Sequence, residues 1–407
     1  MNVLLALFLL LHASGHGPAG AEAGSGAVSA HAREAPLESL ARSIYIAARG
    51  GRQGTGSSPV ASTSGADDGG FADPQPDAPA VKGIYVTAYS AGGARMATLL
   101  DLVDKTDLNA MVIDIKDDNG FITYKTDNEQ LRKLGTPQPF IKDVGKLMDT
   151  LQAHRIYPIA RVVVFKDTVL AQKRPDLSYV TGDGSVWKNG KGDSFVNPYR
   201  KEVWEYNVAI AKEAAKLGFK EIQFDYVRFP EGFEKKADYL NFAKTDESRV
   251  DIVSDFVKYA RKELAPLGVR VSVDIFGYAA SVPAAEGIGQ DLVKISEGVD
   301  VISPMIYPSH YSAGWFDQKN PDMAPYATIK GAMADTHEKL DPLGDKQPVI
   351  RPWIQDFTAA WLGKGHYAKY GAAEVSAQIK ALKESGVTEF LLWNAGNKYS
   401  TGAKYTQ

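Results

Sequence analysis

Two aspartates stand where their surroundings offer chemistry: Asp225 in EIQFDYVRFP (residues 221–230) and Asp274 in VRVSVDIFGY (residues 269–278). In the first stretch Ile222, Phe224 and Tyr226 alternate with Gln223, Asp225 and Val227. That period of two predicts a strand with one apolar face against helices and one partly polar face turned away. Asp225 then sits near the strand's carboxyl end, where alternating strand-and-helix folds keep their chemistry. Asp274 occupies the matching place in the second stretch. Two carboxylates on adjacent strands, about 4.8 Å apart between axes, repel when both are ionised, so one is pushed toward its protonated form. An acid beside an ionised partner is the division of labour that glycoside hydrolysis uses. The competing assignment makes both aspartates structural, satisfied by Arg161, Arg228 or Lys116. Asp114 and Arg161 are read first as an ion pair of that kind.

The elements that must position these residues follow from periodicity. Strands are expected at 82–89, 110–116, 157–165, 221–229, 269–278, 300–307, 348–355 and 389–394. Helices are expected between them at 94–105, 141–154, 200–217, 247–265, 289–297, 326–340 and 373–385, several stopped by glycine (Gly218, Gly268, Gly386). Alternation of this kind argues for α/β architecture, a (β/α)8 TIM barrel with extended βα loops. An open doubly wound sheet is the alternative, and it calls for a glycine-rich phosphate turn that YSAGGAR matches poorly. Long connections follow strands, at 117–140, 166–198, 230–246 and 308–325, while links from helix to strand are short. This asymmetry suits a barrel with an elaborated upper face.

The two-residue rule then selects the inward side chains. Tyr85, Thr87 and Tyr89 are expected inward from the first strand, Asp114 and Lys116 from the second, and Arg161 from the third. Ser272 and Asp274 follow from the fifth and Ser303 and Tyr307 from the sixth. Arg351, Trp353 and Gln355 come from the seventh, and Trp393 and Asn394 end the eighth. Such a polar set is costly to bury without partners or ligand. Aromatics at strand ends and in the long loops, Trp187, Trp315, Trp353 and Trp393 among them, suit the apolar faces of sugar rings, although any one alone is ordinary core packing. The candidate site therefore has Asp225 and Asp274 as catalytic residues. Tyr89, Asp114, Arg161, Arg228, Tyr307, Arg351, Trp353, Gln355, Trp393 and Asn394 surround the substrate.

Other chemistries are poorly supported. There is no cysteine, hence no thiol nucleophile, disulfide or thiolate site. The seven histidines are scattered, which argues against a multi-histidine zinc site. Neither a P-loop nor a G-x-S-x-G elbow occurs. KDDNG (residues 116–120) resembles part of a calcium loop but lacks its glutamate, so a turn is the better reading. No cofactor and no metal are expected. With 46 basic and 49 acidic residues, nothing marks a nucleic-acid surface. The partner expected is a polysaccharide or oligosaccharide.

The amino-terminal part reads differently. Residues 2–13 are apolar and are followed by small residues, the shape of a secretory signal peptide with cleavage around Ala19–Ala23. No Lys or Arg precedes the run, so an uncleaved anchor is the alternative. Residues 24–80 are rich in Gly, Ala, Ser, Pro and Asp and carry too little apolar surface for a core, which predicts a disordered tether. The expected organisation is a leader over 1–23, a linker over 24–80 and a barrel over 81–407. The destination is secreted, periplasmic or cell-envelope, with no strong membrane association once the leader is removed.

Taken together, VKGIYVTAYSAGG, NAMVIDIKDDNGFITY, PIARVVVFKD, EIQFDYVRFP, VSVDIFG and ISPMIYPSHY resemble the glycoside hydrolase-like barrel domain of bacterial proteins, distantly related to amylase-type hydrolases. The resemblance runs from Val81 to Gln407. It implies a TIM barrel, a nucleophilic Asp at the end of strand four, matched by Asp225, and a Glu acid/base after strand five. Asp274 stands on that strand but is one methylene shorter. For the third amylase-type carboxylate, after strand seven, Asp356 is a weak counterpart. The expected activity is polysaccharide hydrolysis by a two-carboxylate, retaining mechanism. A non-catalytic polysaccharide-binding barrel is the alternative.

Overall fold

A computed structural model describes residues 77–406. The leader and nearly all of the tether expected from the sequence lie outside these residues. Among them, no helix is long and apolar enough to cross a membrane.

Eight parallel strand positions close into a barrel. They are β1 (Lys82–Val86), β2 (Ala110–Lys116), β5 (Tyr157–Val163), β6 (Glu221–Asp225), β7 (Arg270–Phe276), β8 (Val301–Met305), the split pair β9 (Val349–Ile350) and β10 (Trp353–Gln355), and β11 (Phe390–Trp393). Closure comes from β1, which pairs with both β2 and β11. The fold is therefore the expected TIM barrel, its eight strand positions closed into a ring. Two further strands, β3 (Phe121–Tyr124) and β4 (Thr136–Ile141), extend the sheet from β2.

Helices α1 (Arg95–Asp104), α2 (Val144–Ala153), α3 (Lys201–Lys216), α4 (Arg249–Leu264), α5 (Leu292–Ser296), α6 (Pro325–Leu340) and α7 (Ala372–Lys383) alternate with the strands. Side-chain caps fix several starts: Asp143 accepts from Lys146 N, Ser248 from Asp251 N and Asp291 from Lys294 N. Ile222 and Phe224 face this helical shell, and the Phe224 ring meets Phe256 of α4 edge-on at 5.5 Å.

The opposite face of each strand fills the barrel in layers, as the fold requires. Val81, Ala110, Val112, Tyr157, Ile159 and Leu391 line its apolar middle and base. Gln223 donates to Ser303 Oγ across it at 3.3 Å. Near the strands' amino ends, Arg351 bridges Glu221 Oε1 (2.7 Å) and Glu389 Oε2 (2.6 Å).

Three departures from uniform alternation shape the upper end. The β2–β5 register shifts between Asp114 and Lys116, so Lys116 turns outward instead of inward. There it pairs with Asp167 at 2.7 Å and donates to Asn207 Oδ1 of α3 at 2.9 Å. The seventh strand breaks at Pro352, which has no N–H for the ladder. Finally, β6 stops at Asp225, four residues short of expectation, because Tyr226 adopts a left-handed φ of 52°.

Candidate active site

Arg161 is the hub of the upper layer. Its Nη1 donates to Asp114 Oδ1 (2.7 Å), and its Nη2 donates to Asp118 Oδ1 (2.7 Å). Asp225 Oδ2 accepts from both Nε (3.0 Å) and Nη2 (2.5 Å). The planar five-donor fork makes such a three-carboxylate bridge possible. Tyr85 Oη donates to Asp114 Oδ2 at 2.6 Å, and the Tyr226 N–H donates to Asp225 Oδ1 at 2.6 Å. That last bond depends on the left-handed turn at Tyr226. A bulky residue in that conformation is strained, and such strain gathers at functional sites.

Asp274 stands beside Asp225 on the next strand, one residue past the paired Phe224 and Val273. Its Oδ1 accepts from Trp353 Nε1 at 2.8 Å. Burial pushes the Asp274 carboxyl well above its ordinary range and the neighbouring Asp225 adds to this, while the Trp353 N–H and Arg161 pull it back. Burial also lifts Asp114 to about 7, opposed by Arg161 and assisted by Asp118. One guanidinium thus serves a cluster of four carboxylates, two of which are pushed toward the neutral acid.

Aromatic rings wall the cluster. Tyr85 stacks on Trp393 with centroids 4.1 Å apart, and Trp353 meets Trp393 edge-on at 5.5 Å. The guanidinium of Arg161 lies 5.5 Å from the Tyr85 ring and 5.6 Å from that of Trp393. Tyr307 is buried, and its hydroxyl has no hydrogen-bond partner among the described residues. Burial, then Asp274 and Asp225, raise its ionisation far above the ordinary tyrosine range, so it is present as a neutral donor.

The structure thus brings together Asp225, Asp274, Asp114, Arg161, Trp353, Trp393 and Tyr307. Other expected site residues fall elsewhere. Arg351 is at the opposite end of the barrel, because the broken seventh strand starts low and Glu221 and Glu389 hold the guanidinium there. It cannot contact a substrate at the upper face. Gln355 is consumed by loop fastening: it accepts from Ser309 N and donates to Asp322 Oδ1 and Phe357 O. Asn394 is used within the β11 exit, donating to Asp356 O and Lys398 O and accepting from Gly396 N. Asp356 itself accepts from Ser400 and ties down the carboxyl-terminal segment. Tyr89, expected inward, lies in the short helix Ala88–Ala91 beyond β1, is 63% exposed and packs on Phe140 at 3.9 Å. Arg228 lies past the end of β6, its guanidinium 4.9 Å from the Tyr226 ring and 4.5 Å from that of Phe276.

Two members of the cluster were not among the expected site residues. Tyr85 is on the inward register of β1, and that position was its only signal. Asp118 belongs to the KDDNG turn, where Asp117 Oδ1 accepts from Asn119 N and Phe121 N. That turn aims Asp118 back at Arg161, which spacing alone does not reveal.

The chain is similar to several proteins of known structure. A hypothetical protein from Ruminiclostridium thermocellum is 35% identical over 47% of this chain and 96% of its own, with a TM-score of 0.43. A chitinase from Chromobacterium violaceum is 13% identical over 80% of this chain and 97% of its own, with a TM-score of 0.46. A class V chitinase from Pseudomonas fluorescens is 10% identical over 80% and 98%, with a TM-score of 0.47. A search of curated proteins finds no match. The family model described as "Putative glycosyl hydrolase domain" matches residues 83–399, nearly the whole barrel, and the chain belongs to that family.

Proposed function

We propose that the protein is a retaining glycoside hydrolase acting on a polysaccharide, with Asp225 as nucleophile and Asp274 as general acid/base. The observation that carries this reading is the contrast between two neighbouring carboxylates. Asp225 takes both bonds of a guanidinium edge, the partner of an ionised carboxylate. Asp274 is buried beside it and held toward the protonated form. Asp225 attacks the anomeric carbon as the glycosidic C–O bond breaks, and Asp274 gives its proton to the departing oxygen. Asp274 then takes a proton from water, which attacks the same carbon and releases Asp225. Adjacent strands favour the roughly 5–5.5 Å carboxyl spacing of retention over the roughly 6.5–9.5 Å of inversion. Trp393 and Trp353 offer aromatic edges to the sugar, and Tyr307 a hydroxyl. Export through the amino-terminal leader belongs to the same reading, which puts the substrate outside the cytoplasm.

Proton NMR of the anomeric products early in hydrolysis tests it: the first-formed anomer keeps the configuration of the substrate. Inverted product excludes Asp225 as nucleophile. A second reading, a non-catalytic glycan-binding barrel, draws on the 4% exposure of Asp225 and 1% of Asp274. Glycan binding with no product from any member of a broad polysaccharide panel favours it.

A further inference from the structure

A cavity of about 540 Å³ opens beside the exit of β6, between the long loop after β5 and the segment after β6. Its size falls in the roughly 300–1,000 Å³ range of small-molecule pockets. Tyr226, the residue next to Asp225, forms part of its wall. The lining is unusually basic. Lys166, Lys188, Lys191, Arg228 and Lys236 face only two carboxylates, Asp193 and Glu231, in a chain whose formal charge is −3.

Lys166 is the telling residue. It is 4% exposed, and the ion pair it makes is a long one. Asp193 is 3.6 Å away and the Tyr226 ring centroid 4.9 Å. An ion pair that long falls short of the about 2.7–2.9 Å of a charge-assisted hydrogen bond, which an anionic oxygen entering the cavity can supply. Across the same wall Arg228 is held in place by the rings of Tyr226 and Phe276 and by Glu231 at 3.1 Å. At the mouth, Asn189 Oδ1 accepts from Lys191 N and Asp193 N, both at 2.9 Å, and so fixes the turn that carries Lys188 and Lys191. Trp187 and the 56% exposed Tyr239 add flat apolar surface. Cations converging around aromatic faces fit a ring that is apolar on its faces and negatively charged at its edge.

We propose that this cavity is a subsite for an anionic sugar residue, one bearing a carboxylate or a sulfate. It rests on the glycoside hydrolase reading for the sugar, whereas the preference for an anion stands on the cavity alone. The glycan cut at Asp225 is then an acidic polysaccharide, and the charged unit sits next to the scissile bond. A neutral glycan offers Lys166 no such charged oxygen.

Calorimetric titration of the full chain with acidic oligosaccharides (oligogalacturonate, oligomannuronate, and chondroitin with and without sulfate) tests this against their carboxyl-reduced forms. At least one acidic member binds, and removing its charge weakens binding about tenfold or more, the scale of one lost charge-assisted contact. Desulfation against carboxyl reduction tells which anion is read. Lys166→Met lowers the same affinity about tenfold while leaving any residual neutral-sugar binding alone. Should that variant misfold, the exposed pair Lys188→Gln/Lys191→Gln and a rise to about 0.5 M salt each weaken acidic binding instead. Equal affinity for charged and reduced forms, or no binding to any acidic member, overturns the proposal. Turnover separates it from the parent reading. Hydrolysis of neutral glycans without acid preference keeps the hydrolase and removes the anionic subsite. Charge-dependent binding with no turnover does the reverse.

Discussion

Arg161 bears more of the site than either proposed catalytic carboxylate, because Asp114, Asp118 and Asp225 all close on it. Removing one partner of a buried ion pair leaves uncompensated charge, at about 3–5 kcal/mol. Arg161→Met is therefore expected to lower thermal stability by that order, and Arg161→Lys recovers only part because a point ammonium cannot span three carboxylates. A melting temperature unchanged in Arg161→Met contradicts the hub. Asp114 gives the site a pH signature. Its carboxyl is lifted to about 7 in the native state, against about 3.9 in an unfolded chain. Between those values the native state holds a proton that the unfolded state has released. The Asp114 contribution is thus complete below about pH 4 and declines as pH rises to about 7, by up to about 1.4 kcal/mol per unit. Urea denaturation across that window should show a shallower decline in Asp114→Asn than in the parent. At Asp274, Trp353→Phe removes the N–H that holds its carboxyl down. Under the proposed mechanism the alkaline limb of the pH–rate profile moves upward, and a downward move contradicts the assignment of Asp274 as acid.

At the scale of elements, the loop after β2 illustrates how strand exits are fixed. Gly120 has φ of 97°, and a Cβ there would overlap the carboxylate of Asp167, the partner of Lys116. Gly120→Ala is expected to cost about 1–3 kcal/mol through backbone strain. It should appear as a lower urea midpoint with an unchanged slope. No shift in midpoint contradicts the steric account. The strands and helices themselves were readable in advance, since alternation and 3.6-residue periodicity are local and the core merely ratifies them. Asp225, Asp274, Asp114, Arg161, Trp353 and Trp393 converge as that reading implied. Hidden from it were the bulge that turns Lys116 outward, the Pro352 break that strands Arg351 at the base, and the left-handed Tyr226. Each is a single-residue departure whose direction is decided by tertiary partners: Asp167, Glu221 with Glu389, and Asp225. Gln355 and Asn394 likewise look like site residues by position. Only the loops folding back on them reveal that their donors and acceptors are already engaged.

On the scale of the whole molecule, the barrel closes through β1, the first of the described strands, which pairs with both β2 and the last strand, β11. Every barrel strand lies within residues 82–393, so a fragment spanning 81–407 is expected to unfold cooperatively with the stability of the full chain. A broad or early transition in that fragment contradicts the proposed domain boundary. Closure also explains the division of roles between the two ends. The base is locked by Arg351 between Glu221 and Glu389, while the upper end gathers more carboxylates than Arg161 can neutralise and faces the long loops. The central claim is that this upper cluster cuts glycosidic bonds through Asp225. Its most direct test is the turnover of Asp225→Asn against the parent chain on a glycan that the parent hydrolyses, with glycan affinity followed in parallel. The account predicts turnover lower by several orders of magnitude with binding retained. Turnover equal to that of the parent chain contradicts it.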